Sequence, residues 1–459
     1  VNGLRLVLRG AQHHWRTQAG VVAGATIAAA VLIGALVLGD SVRGSLRHQA
    51  MMRIGDVGAV LSGGDRFFLD DLGDRIASDA EQGAAPIAAA RGIASTTDGA
   101  HVARDVDVLG VDDRFFKLAP GDAPAPVIEP GTALLSPRLA RQLDAESGQV
   151  IIIRIEKPTA LPKDAVFGTI DEISLALRVT VAGVATDDQY ARFGLSANQT
   201  PPSNLFVPLE WLQQQLEIED RANLLLVPDT DTASLANALE DRLTPRDAQL
   251  ITEQTPVEDV AELRSDRILM TDAEYGALSS HPSDGVFTYF VNTLASNGRE
   301  TPYSMVSAIG PLDASAEPAT PTGAITEGLS RGEIIINQWL AEDLQIGPGD
   351  PLTLTYFVLD ETDALTEASS TFAVHRVIPI EGAAADHWLM PEFPGIADAE
   401  NSSDWEPGIP IDLGRIRDKD ETYWDEHRGT PKAFITLEDG REMWSSRYGD
   451  LTAARFPAE

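Results

Sequence analysis

Cysteine is absent from all 459 residues, which excludes a disulfide framework, thiolate metal sites, iron–sulfur clusters and a cysteine nucleophile. Lysine is scarce: Lys117, Lys157, Lys163, Lys419 and Lys432 are the whole set, and none follows a glycine-rich loop. With no G-x-x-x-x-G-K-[ST], the chain carries no P-loop ATPase. The eight histidines are scattered singly apart from His13-His14, and no H-E-x-x-H pairs two of them on one helix face. Basic residues number 35 against 70 acidic ones. A nucleic-acid partner is therefore not expected, because such binding needs a basic face to neutralise phosphates. After Asp40 no long apolar run recurs; Val150-Ile151-Ile152-Ile153 stops at Arg154 and reads as a buried strand.

What is present is unevenly divided. Residues 1–53 hold six arginines against Asp40 alone, so this head carries +5 and the remaining 406 residues carry −40 of the net −35. Between Arg16 and Asp40 nothing is charged. Residues 19–39 make roughly 31 Å of helix, the thickness of a bilayer core of about 30 Å. Ala19, Val22, Ile27, Val31, Ile33, Leu36 and Leu38 are the spanning residues on this reading. A buried core helix and a cleaved signal peptide are the alternatives; the run is longer than a signal core and lacks its cleavage pattern. In residues 1–18, Leu4, Leu8, Ala11 and Trp15 fall on one helical face, and Arg5, Arg9, His13 and Arg16 on the other. That pattern describes an amphipathic leader on membrane lipid, anchored by Arg5, Arg9, Trp15 and Arg16. Three arginines on each side leave orientation nearly tied. The acidic, cysteine-free body leans toward an extracytoplasmic place.

Laid on itself at a shift of about 200, the body repeats. Asp98-Gly99 and Asn297-Gly298 read as type I′ hairpin turns, each followed by a strand ending at Gly110 or Gly310. Next, Gly131 to Leu143 corresponds to Gly332 to Leu344. Each unit is a strand, a helix N-capped by Ser136 or Asn337, a glycine stop at Gly148 or Gly349, and another strand. Leu139, Ala140 and Leu143 match Leu340, Ala341 and Leu344. Looser pairs follow: residues 177–184 with 372–380, and residues 204–227 with 432–456. The expected layout is a leader (1–18), a transmembrane helix (19–39), a helical stalk (40–55), one α+β module (56–250) and its tandem copy (251–459). The second copy is expected to be cut short, lacking a counterpart of helix 232–243. Residues 119–130, 312–323 and 394–420 read as surface excursions, and Asp418-Lys419-Asp420-Glu421 as a solvated loop.

Residues with a catalytic look fail on context. Gly328-Leu329-Ser330-Arg331-Gly332 fits G-x-S-x-G, yet a loop precedes the serine and a strand follows it, the reverse of a nucleophile elbow. Asp105-Val106-Asp107-Val108-Leu109-Gly110 opens like a calcium loop, but Leu109 stands where an oxygen ligand is required. No catalytic, cofactor-binding or metal-ligating residue is assigned, no cofactor is expected, and the chain is read as a non-enzyme.

The basic leader, the Ala/Gly/Val-rich helix, its exit Gly39-Asp40-Ser41-Val42-Arg43-Gly44-Ser45-Leu46, and the unit Leu-Ala-x-x-Leu-x-x-x-x-Gly before a strand resemble the FtsX-like/MacB-like permease subunits of ABC transporters. The resemblance implies a bacterial inner-membrane protein whose first helix leads into a large periplasmic module. It implies ATP hydrolysis on a separate cytoplasmic ATPase subunit, a homo- or heterodimer, and mechanical action on a periplasmic protein or lipoprotein. Two departures stand out: the family's later membrane helices and coupling element are absent from these residues, and the periplasmic module occurs twice. A single-pass anchored receptor or binding module is the alternative, and an anchored hydrolase a second.

Overall fold

The computed structural model describes residues 12–76, 83–121, 123–158, 174–196, 200–360 and 364–458, with positions 3, 9, 10 and 166. An unbroken helix, α1 (Trp15–Ile54), precedes two α+β modules. Of the leader, Arg5, Leu4, Leu8 and Ala11 lie outside the described residues.

The first module contains β1 (Val57–Ser62), β2 (Phe68–Leu69), β3 (Ala85–Thr96), β4 (Val102–Val111), β5 (Thr132–Leu135), β6 (Val150–Glu156), β7 (Ser174–Val184), β8 (Ser203–Pro208), β9 (Arg221–Ala222) and β10 (Leu224–Pro228). The second contains β11 (Leu250–Gln254), β12 (Val260–Ser265), β13 (Asp284–Ser296), β14 (Arg299–Pro311), β15 (Glu333–Asn337), β16 (Pro351–Leu359), β17 (Leu365–Ile378), β18 (Ala433–Thr436) and β19 (Ala453–Pro457). The main sheets run β1-β10-β3-β4-β8-β5-β7-β6 and β12-β19-β13-β14-β18-β15-β17-β16, the second with β11 added at its edge. In each, the last strand returns to a long early one, β6 to β3 and β16 to β13, closing a barrel. Closure pairs all the strands in the ring; among the described residues the edges that remain are those of the β1/β10 and β11/β12/β19 flaps and of the separate β2/β9 pair.

The duplication extends to irregularities. The parallel pairs are β4/β8 and β5/β7 in one module, β14/β18 and β15/β17 in the other. A register shift falls between Ala133 and Leu134, and again between Ile334 and Ile335. Ser136 and Asn337 cap their helices by accepting from Leu139 N–H and Leu340 N–H. Alternation drives the barrel interior: Ile151, Ile153 and Ile155 of β6 point in and are buried, each stabilising by roughly 1.5–3 kcal/mol.

Several expectations need correction. The repeat helices are stopped by left-handed Asp144 and Gln345, not by glycine. Gly148 and Gly349 sit beyond, with φ of 87° and 93°, where their N–H groups bond Val181 O and Val374 O at 2.8 and 2.7 Å. They turn the chain into the next strand. Asn297-Gly298 has two positive φ angles, as a type I′ turn demands, whereas only Gly99 does so in the first copy. There a longer loop is closed by Gly99 N–H to Thr96 O and by Thr96 Oγ1 on Asp98.

The stretch 394–420 is no surface excursion. The link between β17 and β18 is far longer than that between β7 and β8, and it folds over the second barrel, burying Ile396, Trp405 and Ile409 in its core. Residues 312–323 likewise contribute buried Thr320 and Thr322. Asp418 to Glu421 begin the helix Asp418–His427, with Asp420 buried against Arg417. Carboxylates in a first turn are favoured by the helix dipole. Arg455 of β19, fully buried, ties Asp386 of the long link to Glu262 of β12, both at 2.7 Å. Burial pushes the Glu262 carboxyl up, and Arg455 opposes this.

Candidate functional site: the joint between helix and module

The site with the clearest mechanical content is where α1 enters the first module. From Trp15 to Ser45 this helix is apolar and long enough to cross a membrane. Val22, Ile27, Val31, Ile33, Leu36 and Leu38 are exposed on every side. A helix apolar all round requires burial, and among the described residues nothing buries it. Its forty residues reach about 60 Å without a break, so about 30 Å remains beyond a bilayer core. Arg16 lies over the Trp15 ring at 5.6 Å, at the N-terminal end of that stretch, and Arg9 is exposed.

At its other end the helix is clamped rather than tethered. Gly55 N–H closes the last turn on Met51 O at 2.8 Å, and the chain leaves through Gly55 at φ 62°. A Cβ there would collide with Leu118 O and Tyr190 Oη. Glycine is thus required for both conformation and close approach. Asp56 N–H donates to Leu118 O at 3.0 Å. The Tyr190 hydroxyl reaches the final helix carbonyl, Ile54 O, at 2.7 Å, and shares its proton with Leu118 O.

Tyr190 is itself held from behind. Its ring packs on Phe115 at 4.8 Å and Phe193 at 5.3 Å, and Phe115 in turn meets Phe206 of β8 at 5.7 Å. Phe115 sits on the short helix Asp113–Lys117 that follows β4, and Tyr190 on the loop that follows β7. Rings in these arrangements add about 0.5–1.5 kcal/mol per pair beyond buried area. Burial, with the nearby Asp56 charge, pushes the Tyr190 hydroxyl up, so it stays a proton donor. The end of the helix is thereby fixed to the barrel strand β8 through one tyrosine and two phenylalanines.

The other residues singled out in the sequence lie elsewhere. Leu139 and Leu143 are fully buried in the first core, with Ala140 beside them; Leu340 and Leu344 occupy the second core, with Ala341 at its margin. They hold each barrel shut and take no part in the joint. Tyr190 gave no signal in the sequence, because a lone tyrosine after a strand looks like any loop aromatic until topology brings it under the helix. Ser330 lies in a turn between Gly328 and Gly332, its N–H on Glu333. Among the described residues no group of side chains is arranged to hold a metal ion.

Comparison with known proteins addresses the same region. Residues 19–242 match the model of the MacB-like periplasmic core domain. The extracellular domain of the noncanonic ABC-type transporter YknZ from Gram-positive bacteria aligns at 11% identity, over 39% of this chain and 88% of that one, with a TM-score of 0.25. The periplasmic region of MacB from Actinobacillus actinomycetemcomitans aligns at 11% identity over 42% and 86%, TM-score 0.27. A domain of a putative permease protein from Porphyromonas gingivalis aligns at 16% identity over 41% and 75%, TM-score 0.24. No curated protein matches the chain. On the family-model match, residues 19–242 carry a MacB-like periplasmic core domain, the domain of MacB-like ABC transporter permeases.

Proposed function

We propose that this chain is the membrane subunit of an FtsX/MacB-type ABC transporter, set in the bacterial inner membrane with both modules on the periplasmic side. It transmits work and catalyses nothing itself; a separate cytoplasmic ATPase, bound through further parts of the permease, supplies the energy. The observation that carries this reading is the continuous helix from Trp15 to Ile54 ending in the Gly55–Tyr190 clamp. A rigid rod fixed at its end passes a tilt or a rotation to the barrel, where a flexible tether would absorb it.

The test uses the full-length gene product, purified with a candidate ATPase. Spin labels at Arg43 and Asp188, on either side of the clamp, should keep one separation in the ATP-bound and nucleotide-free states, while energy transfer from a dye at the exposed Glu146 to labelled lipid headgroups changes. In Tyr190→Phe, which leaves Ile54 O and Leu118 O without that donor, the Arg43–Asp188 distance should become nucleotide-dependent and the Glu146 signal should shrink, while ATP hydrolysis persists. Failure of the two proteins to associate, or a Glu146 signal indifferent to nucleotide, refutes the proposal. The second reading, an anchored binding module, is favoured by one observation, a cavity in the first module.

A further inference from the structure

The two modules differ most at one face of the barrel. Equivalence follows from hydrogen bonds. Ser136 N–H bonds Asn204 O, and its counterpart Asn337 N–H bonds Lys432 O. Asn204 pairs across β8/β4 with Asp107, which pairs with Arg91. Lys432 N–H bonds Met305 O, and Met305 pairs with Phe290. The row Arg91–Asp107–Asn204 of the first module is therefore Phe290–Met305–Lys432 in the second.

In the second module this face is covered. Phe290 and Met305 are buried, and the long link between β17 and β18 lays Trp405 and Trp424 over them, with Trp405 at 5.8 Å from Phe290. A cavity of only about 30 Å³ remains beside Met305 and Lys432. In the first module the described residues of the shorter β7–β8 link lay no tryptophan over this face, and a cavity of about 790 Å³ opens over Arg91, Asp107 and Asn204. That volume is in the range of about 300–1,000 Å³ usual for ligand sites. Leu109, Phe193 and Leu216 give it apolar walls.

The polar wall is incomplete. Asn204 is 1% exposed; its Nδ2 donates to Phe193 O at 2.8 Å, but its Oδ1 has no partner among the described residues. Buried acceptors left unpaired are uncommon in folded proteins and point to a missing donor. Burial also pushes the Asp107 carboxyl up, with Arg91 only partly opposing. The wall therefore offers one acceptor without a donor, Asn204 Oδ1, with the Asp107 carboxyl and the Arg91 guanidinium beside apolar surface.

We propose that this cavity is a docking site for a polypeptide segment of a protein partner, one that inserts an aromatic side chain and presents N–H donors to Asn204 and Asp107. The second module shows what covers the equivalent face: an irregular, tryptophan-bearing stretch of chain. Arg53 of α1 and Arg267 of the second module also line the cavity, so an occupant would touch the membrane helix and both modules at once. The inference stands whether or not the permease reading holds.

Random peptides displayed on phage, panned against the full chain, supply the probe. Enriched peptides carrying Trp or Phe, synthesised and titrated by calorimetry, should bind the native chain. They should bind Asn204→Lys and Asp107→Met, the residues of the second module, at least about tenfold more weakly, a loss of about 1.4 kcal/mol. Arg91→Gln, at an exposed position, is a milder variant should those two fail to fold, as judged by their melting curves. No enriched peptide, or affinity unchanged in the variants, overturns the proposal. Binding that occurs only after residues 159–173 are deleted assigns the cavity to the chain's own segment and overturns it as well.

Discussion

Lys432 shows how one position carries the history of both modules. Its counterpart Asn204 is neutral, whereas the Lys432 ammonium lies between Trp339 and Tyr423, at 4.3 and 4.7 Å from their rings, with the Asp420 carboxylate at 4.0 Å. Burial pulls its pKa down to about 7; Asp420 opposes this, and the Arg417 and Lys419 charges add to it. The folded value is below the unfolded one, so between about pH 7 and pH 10 the unfolded chain binds more protons and stability rises with pH. Below about pH 7 the charged ammonium is buried at full cost, on the order of a few kcal/mol. Lys432→Met keeps the aliphatic stem between the rings and leaves Asp420 its Arg417 bridge. The variant should melt higher than the native chain at pH 6, with the gap closing by pH 9. A pH-independent gap would mean that Lys432 keeps its proton in the fold up to pH 9, as it does in the unfolded chain.

At the scale of elements, the repeat unit was legible because caps and turns need particular residues. Ser136 and Asn337 could be read as caps because a side-chain oxygen must meet the free N–H of the third helical residue. Both do more: Ser136 Oγ also accepts from Asn204 N–H at 3.0 Å, and Asn337 Nδ2 donates to the Tyr423 hydroxyl at 3.0 Å. Each cap therefore ties its helix to a second element. Ser136→Ala and Asn337→Ala should each cost about 2 kcal/mol or more, above the usual ~1 for a surface cap, measured by urea denaturation. A loss below about 0.5 kcal/mol in either would show that its second bond carries nothing. Elsewhere the pattern misled. The spacing matches Gly110 with Gly310, but strand pairing makes Ala308 its counterpart: Gly110 pairs with Val207, and Ala308 with the equivalent Ile435. In the first copy Gly110 makes room for Leu212, and in the second Gly440 on the helix makes room for Ala308. The small residue has changed sides of the contact, so glycine spacing alone placed the strand two residues out. The cover over the second barrel was illegible for another reason: Pro, Gly and Asp dominate its sequence, and Trp405 and Ile396 are too sparse to show a period. The joint at Tyr190 and the open face at Asn204 exist only once the barrel brings separate strands together.

Over the whole molecule, charge acts in two opposed ways. The residues after Arg53 carry −40, and their mutual repulsion weakens the compact state when ions are few. The contact between modules, however, is made largely of arginine–carboxylate pairs: Arg267 with Asp65 and Arg221 with Asp266, both at 3.0 Å, and Arg66 with Glu274. Asp65, Asp266 and Arg66 are partly exposed, so these pairs are screened by salt. Raising NaCl from about 0.1 M to 1 M shortens the screening length from about 10 to about 3 Å. Repulsion spread over the surface and attraction across the interface then fade together, with opposite consequences. Each barrel, held by its apolar core, should melt at a higher temperature in 1 M salt, while the modules loosen relative to each other. Calorimetry should record the rise, and spin labels at the exposed Glu146 and Glu317 should give a broader distance distribution. Should the distribution stay narrow while the melting temperature rises, the interface is held by something other than its ion pairs. A fall in both would make those pairs the main support of the barrels themselves.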